Sequence, residues 1–153
     1  LESDRSTKIA ARRAAILVDR SDSKSRYNVY KEANEVLKNG YNVCIFPETH
    51  YLDDTILLGD FKRGAFKIAI ENKLPIIPIV FYDCKLKHPW YPRFGKMGKL
   101  RAKVLDKIPV NNLTQDDIPM LTEKAYSIIR QEIENDPEGS ALEAINKWKE
   151  ILY

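Results

Sequence analysis

Three segments decide the fold: Y-N-V-C-I-F-P-E-T-H at residues 41–50, F-K-R-G-A-F at 61–66 and L-P-I-I-P-I-V at 74–80. The apolar runs in the first and third segments are typical of buried strands, because they are short and bounded by turn residues. Between them lie the acid Glu48 and a cluster of basic residues. Charged groups just beyond a strand end are how open α/β sheets present small ligands. The sequence therefore predicts a ligand site at this edge of a sheet.

The length and composition are those of one domain. The 153 residues include 44% hydrophobic residues, which is enough to build a core. The longest apolar run, 74–82, is too short to span a bilayer, which takes about 20 residues. We expect Cys44 to be a small hydrophobe within a strand and not to pair with Cys84, which favours a reducing compartment. The chain does not begin with Met, so we expect it to be part of a longer protein.

The order of the predicted elements favours an α/β fold. A strand over 14–19, a helix ending at Gly40 and a strand over 41–46 form a βαβ pattern, which argues for parallel pairing. The remaining predicted elements are a helix over 62–72, a buried central strand over 76–82, a half-exposed edge strand over 99–105, a long helix from Thr114 or Asp117, and a last helix capped by Ser140. The predicted architecture is a layered, mostly parallel or mixed sheet flanked by helices, with a helical C-terminal cover.

Glu48, Arg20, Lys62 and Arg63 form the candidate ligand site. Pro47 ends the predicted strand, so Glu48 lies at its edge and is suited to accept hydrogen bonds from a hydroxyl, bind a metal or act as a base. The alternative is a loop carboxylate that caps the next helix. Lys62 and Arg63 at a helix N-terminus suit a phosphate, although Lys-Arg pairs are also common in solvated turns. Arg20 follows the first predicted strand at the same edge, which favours the phosphate interpretation.

Neither histidine is a strong candidate for a general base or a metal ligand. His50 has no evident Ser or Cys partner, and His88 lies in a basic loop. Neither has the spacing to a Cys, an Asp or a second His that metal sites use. The chain contains no nucleophile elbow, no phosphate-binding glycine loop and no dinucleotide-binding fingerprint. We therefore predict no metal and no cofactor.

A basic and aromatic segment spans residues 85–103, with seven Lys or Arg residues and no acid. Aromatic residues interleaved with cations are typical of a surface that binds anionic membranes. The alternatives are a nucleic-acid groove with stacking aromatics and a solvated loop. The residues predicted to face the membrane are Lys85, Lys87, Trp90, Tyr91, Arg93, Phe94 and Lys96.

Four blocks, in order, resemble those of the glycerolipid acyltransferase family, which includes 1-acylglycerol-3-phosphate and glycerol-3-phosphate acyltransferases. They are A-I-L-V-D-R (15–20), I-F-P-E (45–48), F-K-R-G-A-F (61–66) and L-P-I-I-P-I-V (74–80). The resemblance covers residues 14–135. It implies that residues 1–136 are the C-terminal two-thirds of an acyltransferase-like domain, on which 137–153 packs as a C-terminal helix.

The resemblance also implies a reaction, the transfer of a fatty acyl group to a hydroxyl of a glycerol-phosphate-like or related lysolipid acceptor in membrane lipid synthesis. The donor would be a thioester of CoA or acyl carrier protein. Glu48 would be a ligand of acceptor hydroxyls, and Arg20 a phosphate contact. The expected partners are the donor, the lysolipid and an anionic membrane surface, with no nucleic acid. The expected location is the cytoplasmic face of a membrane, peripheral or tethered by a segment outside this chain.

Two departures from the family pattern matter. The family's base is the His of a His-x4-Asp block, whereas here His50 leads to Thr55 and His88 to Arg93. We therefore expect the base to lie upstream, and this chain to be inactive as it stands. T-H-Y (49–51) replaces the family's Gly-Thr-Arg, so either His50 substitutes for the phosphate-binding Arg or the acceptor is not a simple phosphate. The alternative functions are a non-catalytic lipid- or membrane-binding module and a nucleic-acid-binding domain.

Overall fold

The computed structural model describes residues 16, 23–48, 54–89 and 94–152. The chain divides into two compact units, Leu1–Ile45 and Phe46–Tyr153. Most of the strand predicted over 14–19 lies outside the described residues, and what we expect of it stays a prediction. The same holds for these predicted site residues: Arg20, His50, Trp90, Tyr91 and Arg93.

In the first unit, helix α1 (Ser23–Lys38) is followed by Gly40, as the sequence predicts. Gly40 has a φ of +81°, a left-handed conformation that glycine adopts without steric cost. Its amide donates to the carbonyl of Leu37 at 3.0 Å, and the Tyr41 amide donates to the carbonyl of Val36 at 3.2 Å. These two bonds form a Schellman motif, which satisfies carbonyls that the helix end would otherwise leave open.

Residues 41–46 do not form the buried strand that the sequence predicts. Within the described part of the chain they have no strand partner, and Tyr41 and Phe46 are largely exposed. Cys44 is exposed as well, so the expectation of a buried small hydrophobe is wrong; Cys44 and Cys84 are both free thiols. A strand depends on ladder partners and on burial of a face, which an apolar pattern alone does not supply.

The second unit contains helices and a small sheet, in agreement with the α/β class at a coarse level. In chain order they are α2 (Gly64–Asn72), β1 (Ile79–Phe81), α3 (Cys84–Lys87), β2 (Ala102–Val104), a 3-10 turn (Gln115–Asp117), α4 (Ile118–Glu134) and α5 (Ser140–Leu152). β1 pairs with β2 in antiparallel fashion, with Ile79 opposite Val104. The two-stranded sheet of the described residues is thus antiparallel, an arrangement that a mixed sheet allows. The layering of a larger sheet stays a prediction.

Both strands are shorter than predicted, because the ladder is interrupted before β1. Pro78 has no amide to donate, although its carbonyl accepts from the Leu105 amide at 2.9 Å. A further antiparallel bridge joins Ile76 to Ile108, one residue out of the register of β1 and β2. An extra residue on one strand is a β-bulge, which bends the strand and increases its local twist.

One face of β1 is buried and the other is open. Val80 is 2% exposed and belongs to a core cluster with Tyr82 and Ile133. Ile79 and Phe81 lie on the opposite side of the pleat and are 45% and 49% exposed. The prediction of a central strand buried on both faces is therefore wrong, since the packing of the described helices covers one side.

The larger core cluster lies between α2 and α4. It contains Phe66 and Ile70 from α2, together with Leu121 and Ala125 from α4. Each pair is spaced by four residues, which places both side chains on one face of its helix. Phe61, from the segment that precedes α2, packs against this cluster. The segment that carries the candidate ligand site is therefore anchored to the core.

Arg101, just before β2, joins separate segments through what we term the Arg101 network, which consists of Arg101, Asp83, Asp136 and Ser140. Asp83 precedes α3, and Asp136 lies between α4 and α5. The guanidinium donates to Asp83 Oδ1 at 2.6 Å, to Asp136 Oδ1 at 2.7 Å and to Ser140 Oγ at 3.0 Å. The two carboxylate side chains are 3% and 1% exposed. Carboxylates so deeply buried need a charged partner, because an unpaired buried charge is strongly destabilising.

Two members of the network differ from their predicted roles. The basic segment predicted at 85–103 includes Arg101, yet its guanidinium faces acids of the protein itself. Ser140, predicted as the N-cap of the last helix, is the first residue of α5. Asp136 takes the capping role, since its Oδ2 accepts from the Ser140 amide at 3.2 Å. A carboxylate also interacts favourably with the positive end of the helix dipole.

Tyr82 extends these contacts to α4. The Arg101 guanidinium carbon lies 5.1 Å from the centroid of the Tyr82 ring. The Tyr82 hydroxyl donates to Glu132 Oε1 at 2.6 Å, and Lys103 Nζ donates to the same oxygen at 2.8 Å. Burial, together with the hydrogen bond to the Glu132 carboxylate, raises the pKa of Tyr82 to about 12. Tyr82 is therefore a neutral hydrogen-bond donor throughout the physiological pH range.

We predict that Asp83→Ala lowers the free energy of unfolding by about 3 kcal/mol, because it breaks a nearly buried ion pair and leaves the Arg101 amide and guanidinium short of an acceptor. Urea denaturation followed by circular dichroism measures this change. The matched control is Glu134→Ala, which removes an exposed ion pair with Arg130 at 2.8 Å and should have little effect. Equal losses in the two variants would contradict the importance of the network.

We also predict a loss of stability in acid. The hydrogen bonds from Arg101 lower the pKa of Asp83 from 3.8 to about 2, and they lower the pKa of Asp136 as well. A depressed folded-state pKa contributes stability that is complete above the unfolded pKa and is lost as the pH falls. Urea midpoints should therefore fall between about pH 4 and pH 2, at a cost of about 2 kcal/mol for Asp83 alone. Asp83→Asn should flatten this dependence; an unchanged slope would refute the assignment.

Candidate functional site

The candidate site is centred on the place where residues 47–48 meet residues 59–62, which we term the loop base. Glu48 and Phe61 form an antiparallel bridge, and the Lys62 amide donates to the carbonyl of Pro47 at 3.0 Å. The Gly59 amide donates to Glu48 Oε2 at 2.7 Å. The two ends of the intervening loop are thus joined by backbone pairing and by one carboxylate.

The sequence explains why this joint forms. Pro47 cannot donate a hydrogen bond, but its carbonyl remains available to an incoming amide. Gly59 is buried, and a buried amide must find an acceptor. The Glu48 carboxylate supplies one, and hydrogen bonds to an ionised acceptor are stronger than neutral ones. The alternative interpretation of Glu48 as a helix cap is not what the structure shows: the bonded amide belongs to the loop and not to α2.

Phe61 fixes the loop base to the core. Its ring stacks with Phe66 of α2 at a centroid distance of 6.4 Å and meets Tyr126 of α4 edge-to-face at 5.3 Å. Such aromatic pairs add to the stabilisation that burial alone provides. The position of Lys62, the next residue along the chain, is therefore set by packing on one side and by the bond to Pro47 on the other.

Lys62 and Arg63 lie immediately before α2, whose first residue is Gly64. The helix starts two residues later than predicted, so both cations precede it and both are exposed. Within the described part of the chain, neither is found in an ion pair. The unpaired amides and the dipole of the first turn of α2 add positive potential at the same place. The structure thus brings Glu48, Lys62 and Arg63 together at the loop base; the placement of Arg20 and His50 lies outside the described residues.

A depression of about 220 Å³ adjoins the loop base on the side of α4. Its lining is acidic and aromatic, and consists of Asp60, Phe61, Thr122, Glu123 and Tyr126. Two carboxylates disfavour a phosphate there, because like charges repel. The cations of Lys62 and Arg63 are thus better suited to an anion than this depression is.

The residues predicted to face a membrane are not all directed outward. Phe94 meets Trp148 of α5 edge-to-face at 5.4 Å, and Lys96 forms an ion pair with Glu143 of α5 at 2.6 Å. Lys87 Nζ donates to the carbonyl of Met97 at 3.3 Å, and the Met97 side chain is 99% exposed. Membrane contact by Lys85, Lys87 and the rest of this set stays a prediction.

Sequence reasoning missed the bond between Gly59 and Glu48 and the anchoring role of Phe61. The bond between Gly59 and Glu48 spans eleven residues, a separation without a local pattern. In the sequence, a glycine directly before Asp60 indicates only an ordinary turn. Phe61 gave a usable signal, because an aromatic residue just before a basic pair and an apolar helix is suited to anchor the turn in the core.

The thiol of Cys84 is not an activated nucleophile. Partial desolvation and the neighbouring Asp83 carboxylate raise its pKa, so it is protonated at neutral pH. Across residues 16, 23–48, 54–89 and 94–152, no group of three His, Cys, Asp or Glu side chains is placed to hold a metal ion. None of the helices in that part of the chain has the length and apolar character needed to cross a bilayer.

Comparison with known proteins gives consistent results. The family described as Acyltransferase matches residues 6–82. Human 1-acyl-sn-glycerol-3-phosphate acyltransferase alpha is 31% identical over 128 residues, which are 81% of this chain and 45% of that protein. The 1-acyl-sn-glycerol-3-phosphate acyltransferase of Saccharomyces cerevisiae is 33% identical over 110 residues, 70% of this chain and 36% of that protein. The chain therefore spans less than half the length of these relatives.

A solved structure is also similar. The crystal structure of the 1-acyl-sn-glycerophosphate (LPA) acyltransferase PlsC from Thermotoga maritima matches with a TM-score of 0.59 and 22% sequence identity. The match covers 69% of this chain and 43% of that one. At this identity the likeness concerns the fold.

Proposed function

Because this chain belongs to the Acyltransferase family, we propose that it forms the acceptor-binding part of an enzyme that transfers a fatty acyl group to a hydroxyl of a glycerol-phosphate-like lysolipid. The donor is an acyl thioester, of CoA or of acyl carrier protein. The names of the similar human and yeast proteins support an acceptor of the 1-acyl-glycerol-3-phosphate class. The observation that carries the proposal is the pairing of Glu48 with Phe61, which brings Glu48 next to the F-K-R-G-A-F segment that carries Lys62 and Arg63.

The chemistry requires a base that these residues do not provide in a recognisable form. The acceptor hydroxyl attacks the thioester carbonyl, the new C–O bond replaces the C–S bond, and the thiol leaves as the hydroxyl proton is removed. In this chain His50 and His88 both lack an Asp five positions later. We place the base outside these 153 residues, so the chain alone binds the acceptor without turnover.

Lys62 and Arg63 are the proposed contacts for the acceptor's phosphate. An ammonium and a guanidinium beside the amides of the first turn of α2 combine charge with directed donors. His50 is proposed as a further phosphate contact, in the place of the Arg that the family carries after P-E, and Arg20 stays a predicted phosphate contact. Glu48 is proposed to lie close enough to accept a hydrogen bond from an acceptor hydroxyl.

We predict that the double variant Lys62→Ala/Arg63→Ala weakens binding of glycerol 3-phosphate at least about 10-fold, because charged hydrogen bonds of this kind contribute substantially. Chemical-shift titration of the labelled chain measures the dissociation constant. Lys67→Ala is the matched control, because Lys67 lies one turn further along α2 and pairs with Glu71 at 3.7 Å.

The same protein is then mixed with acyl-CoA and lysophosphatidic acid. Binding without an acylated product supports the proposal in full. An acylated product would show that the base lies within this chain, and unchanged binding in the double variant would remove Lys62 and Arg63 from the site.

We propose that the protein acts at the cytoplasmic face of a membrane, peripherally or through a tether outside this chain. Lys85 and Lys87 lie on α3, and the fully exposed Met97 is held close to Lys87, whose Nζ donates to the Met97 carbonyl. An exposed apolar residue beside a lysine suits an anionic lipid surface. A module that binds lipid without catalysis would use the same contacts.

Lys85→Ala/Lys87→Ala should weaken binding to vesicles of phosphatidylcholine and phosphatidylserine by about 1 kcal/mol for each lysine. Co-sedimentation measures the bound fraction, with Lys124→Ala/Lys149→Ala, on exposed positions of α4 and α5, as the control. Vesicles of phosphatidylcholine alone should bind less well. A shift of single-stranded oligonucleotide without vesicle binding would favour the nucleic-acid alternative instead.

A further inference from the structure

We propose that Glu48 is a positioning residue: its carboxylate binds the Gly59 amide, closes the loop base and thereby sets Lys62 and Arg63 in place for an anion. This inference rests on the proposed function, since it concerns the phosphate site assigned to these two cations. It differs from a role in which Glu48 acts only by touching an acceptor hydroxyl.

The first step of the argument is the placement of the carboxylate. Glu48 Oε2 lies 2.7 Å from the Gly59 nitrogen, and both residues are at least partly buried. A bond of this length to an ionised acceptor is among the stronger hydrogen bonds in proteins. Loss of the acceptor would leave a buried amide unsatisfied, which favours opening of the loop base.

The second step is the short path from this bond to the cations. Gly59 and Lys62 are separated by two residues, one of which is Phe61, held by Phe66 and Tyr126. On the other strand of the joint, Pro47 binds the Lys62 amide directly. The backbone at Lys62 is thus held by Phe61 on one side and by the Pro47 carbonyl on the other, and the bond from Gly59 to Glu48 keeps the two sides together.

The third step concerns charge. A carboxylate beside two cations opposes the binding of a phosphate, because it repels the anion. The Glu48 carboxylate must therefore make a favourable contribution that exceeds this repulsion. The hydrogen bond that it accepts from Gly59, which closes the loop base, is such a contribution. A neutral side chain with the same acceptor oxygen should therefore keep the position of the cations without the repulsion.

The test compares Glu48→Gln and Glu48→Ala with two ligands, inorganic phosphate and glycerol 3-phosphate. Phosphate has no glycerol hydroxyl, so it detects positioning of the cations and not contact with a hydroxyl. We expect Glu48→Ala to weaken phosphate binding about 10-fold, which corresponds to the loss of one charge-assisted hydrogen bond, and to weaken glycerol 3-phosphate at least as much, because that ligand also loses its proposed hydroxyl contact. We expect Glu48→Gln to bind both ligands with dissociation constants no more than about twofold above those of the unaltered chain.

Amide hydrogen exchange at Gly59 is the second measurement. Its amide should be protected in the unaltered chain and in Glu48→Gln, and unprotected in Glu48→Ala. Asp60→Ala is the matched control, because it removes a neighbouring negative charge without removing the bond to Gly59. It should leave Gly59 protected and should not weaken phosphate binding.

The outcomes separate the two proposals. If Glu48→Ala weakens glycerol 3-phosphate but not phosphate, Glu48 contacts the hydroxyl and the positioning role is wrong. If the unaltered chain binds neither ligand, the phosphate site fails, while Gly59 exchange still decides whether Glu48 closes the loop base. If Glu48→Ala does not fold, a tenfold loss of phosphate binding in Glu48→Gln would by itself overturn the inference.

Discussion

The bonds of one guanidinium to two buried carboxylates are the constraint on which the second unit depends. β1 and β2 pair over three residues, which is too little to hold two strands together alone. Arg101 ties the end of β1, the start of β2 and the turn between α4 and α5 to a common point through Asp83 and Asp136. The geometry of the sheet therefore depends on ion pairing as much as on apolar packing.

The same use of acids recurs at the loop base. Glu48 binds the Gly59 amide of its own loop, just as Asp83 binds the Arg101 amide at 2.7 Å. In both places a carboxylate satisfies the backbone of the protein. The cations at the loop base, by contrast, remain at the surface. Because these carboxylates bind the protein's own amides while the cations stay exposed, a chain with a net charge of only +3 can present a local positive site without an unusual composition.

The sequence was most informative where a signal is local. Gly40 as the end of α1 and the presence of the helices α2 and α4 were predicted correctly, because glycine conformation and helical spacing are short-range properties. The segment 41–46 was predicted wrongly, since its apolar pattern does not specify a strand partner. The Arg101 network was also missed: its members lie 18 and 35 residues apart from Arg101, and nothing in a basic segment marks one arginine as buried in acids.

The interrupted ladder before β1 has a consequence for behaviour in solution. Ile79 and Phe81 expose an apolar face that would favour stacking between molecules, and a long flat strand of this composition would template growth of an aggregate. Pro78 removes an amide at the start of β1, and the bulge beside it bends the partner strand. Pro78 of L-P-I-I-P-I-V thus helps to keep this apolar segment from becoming a continuous cross-β edge.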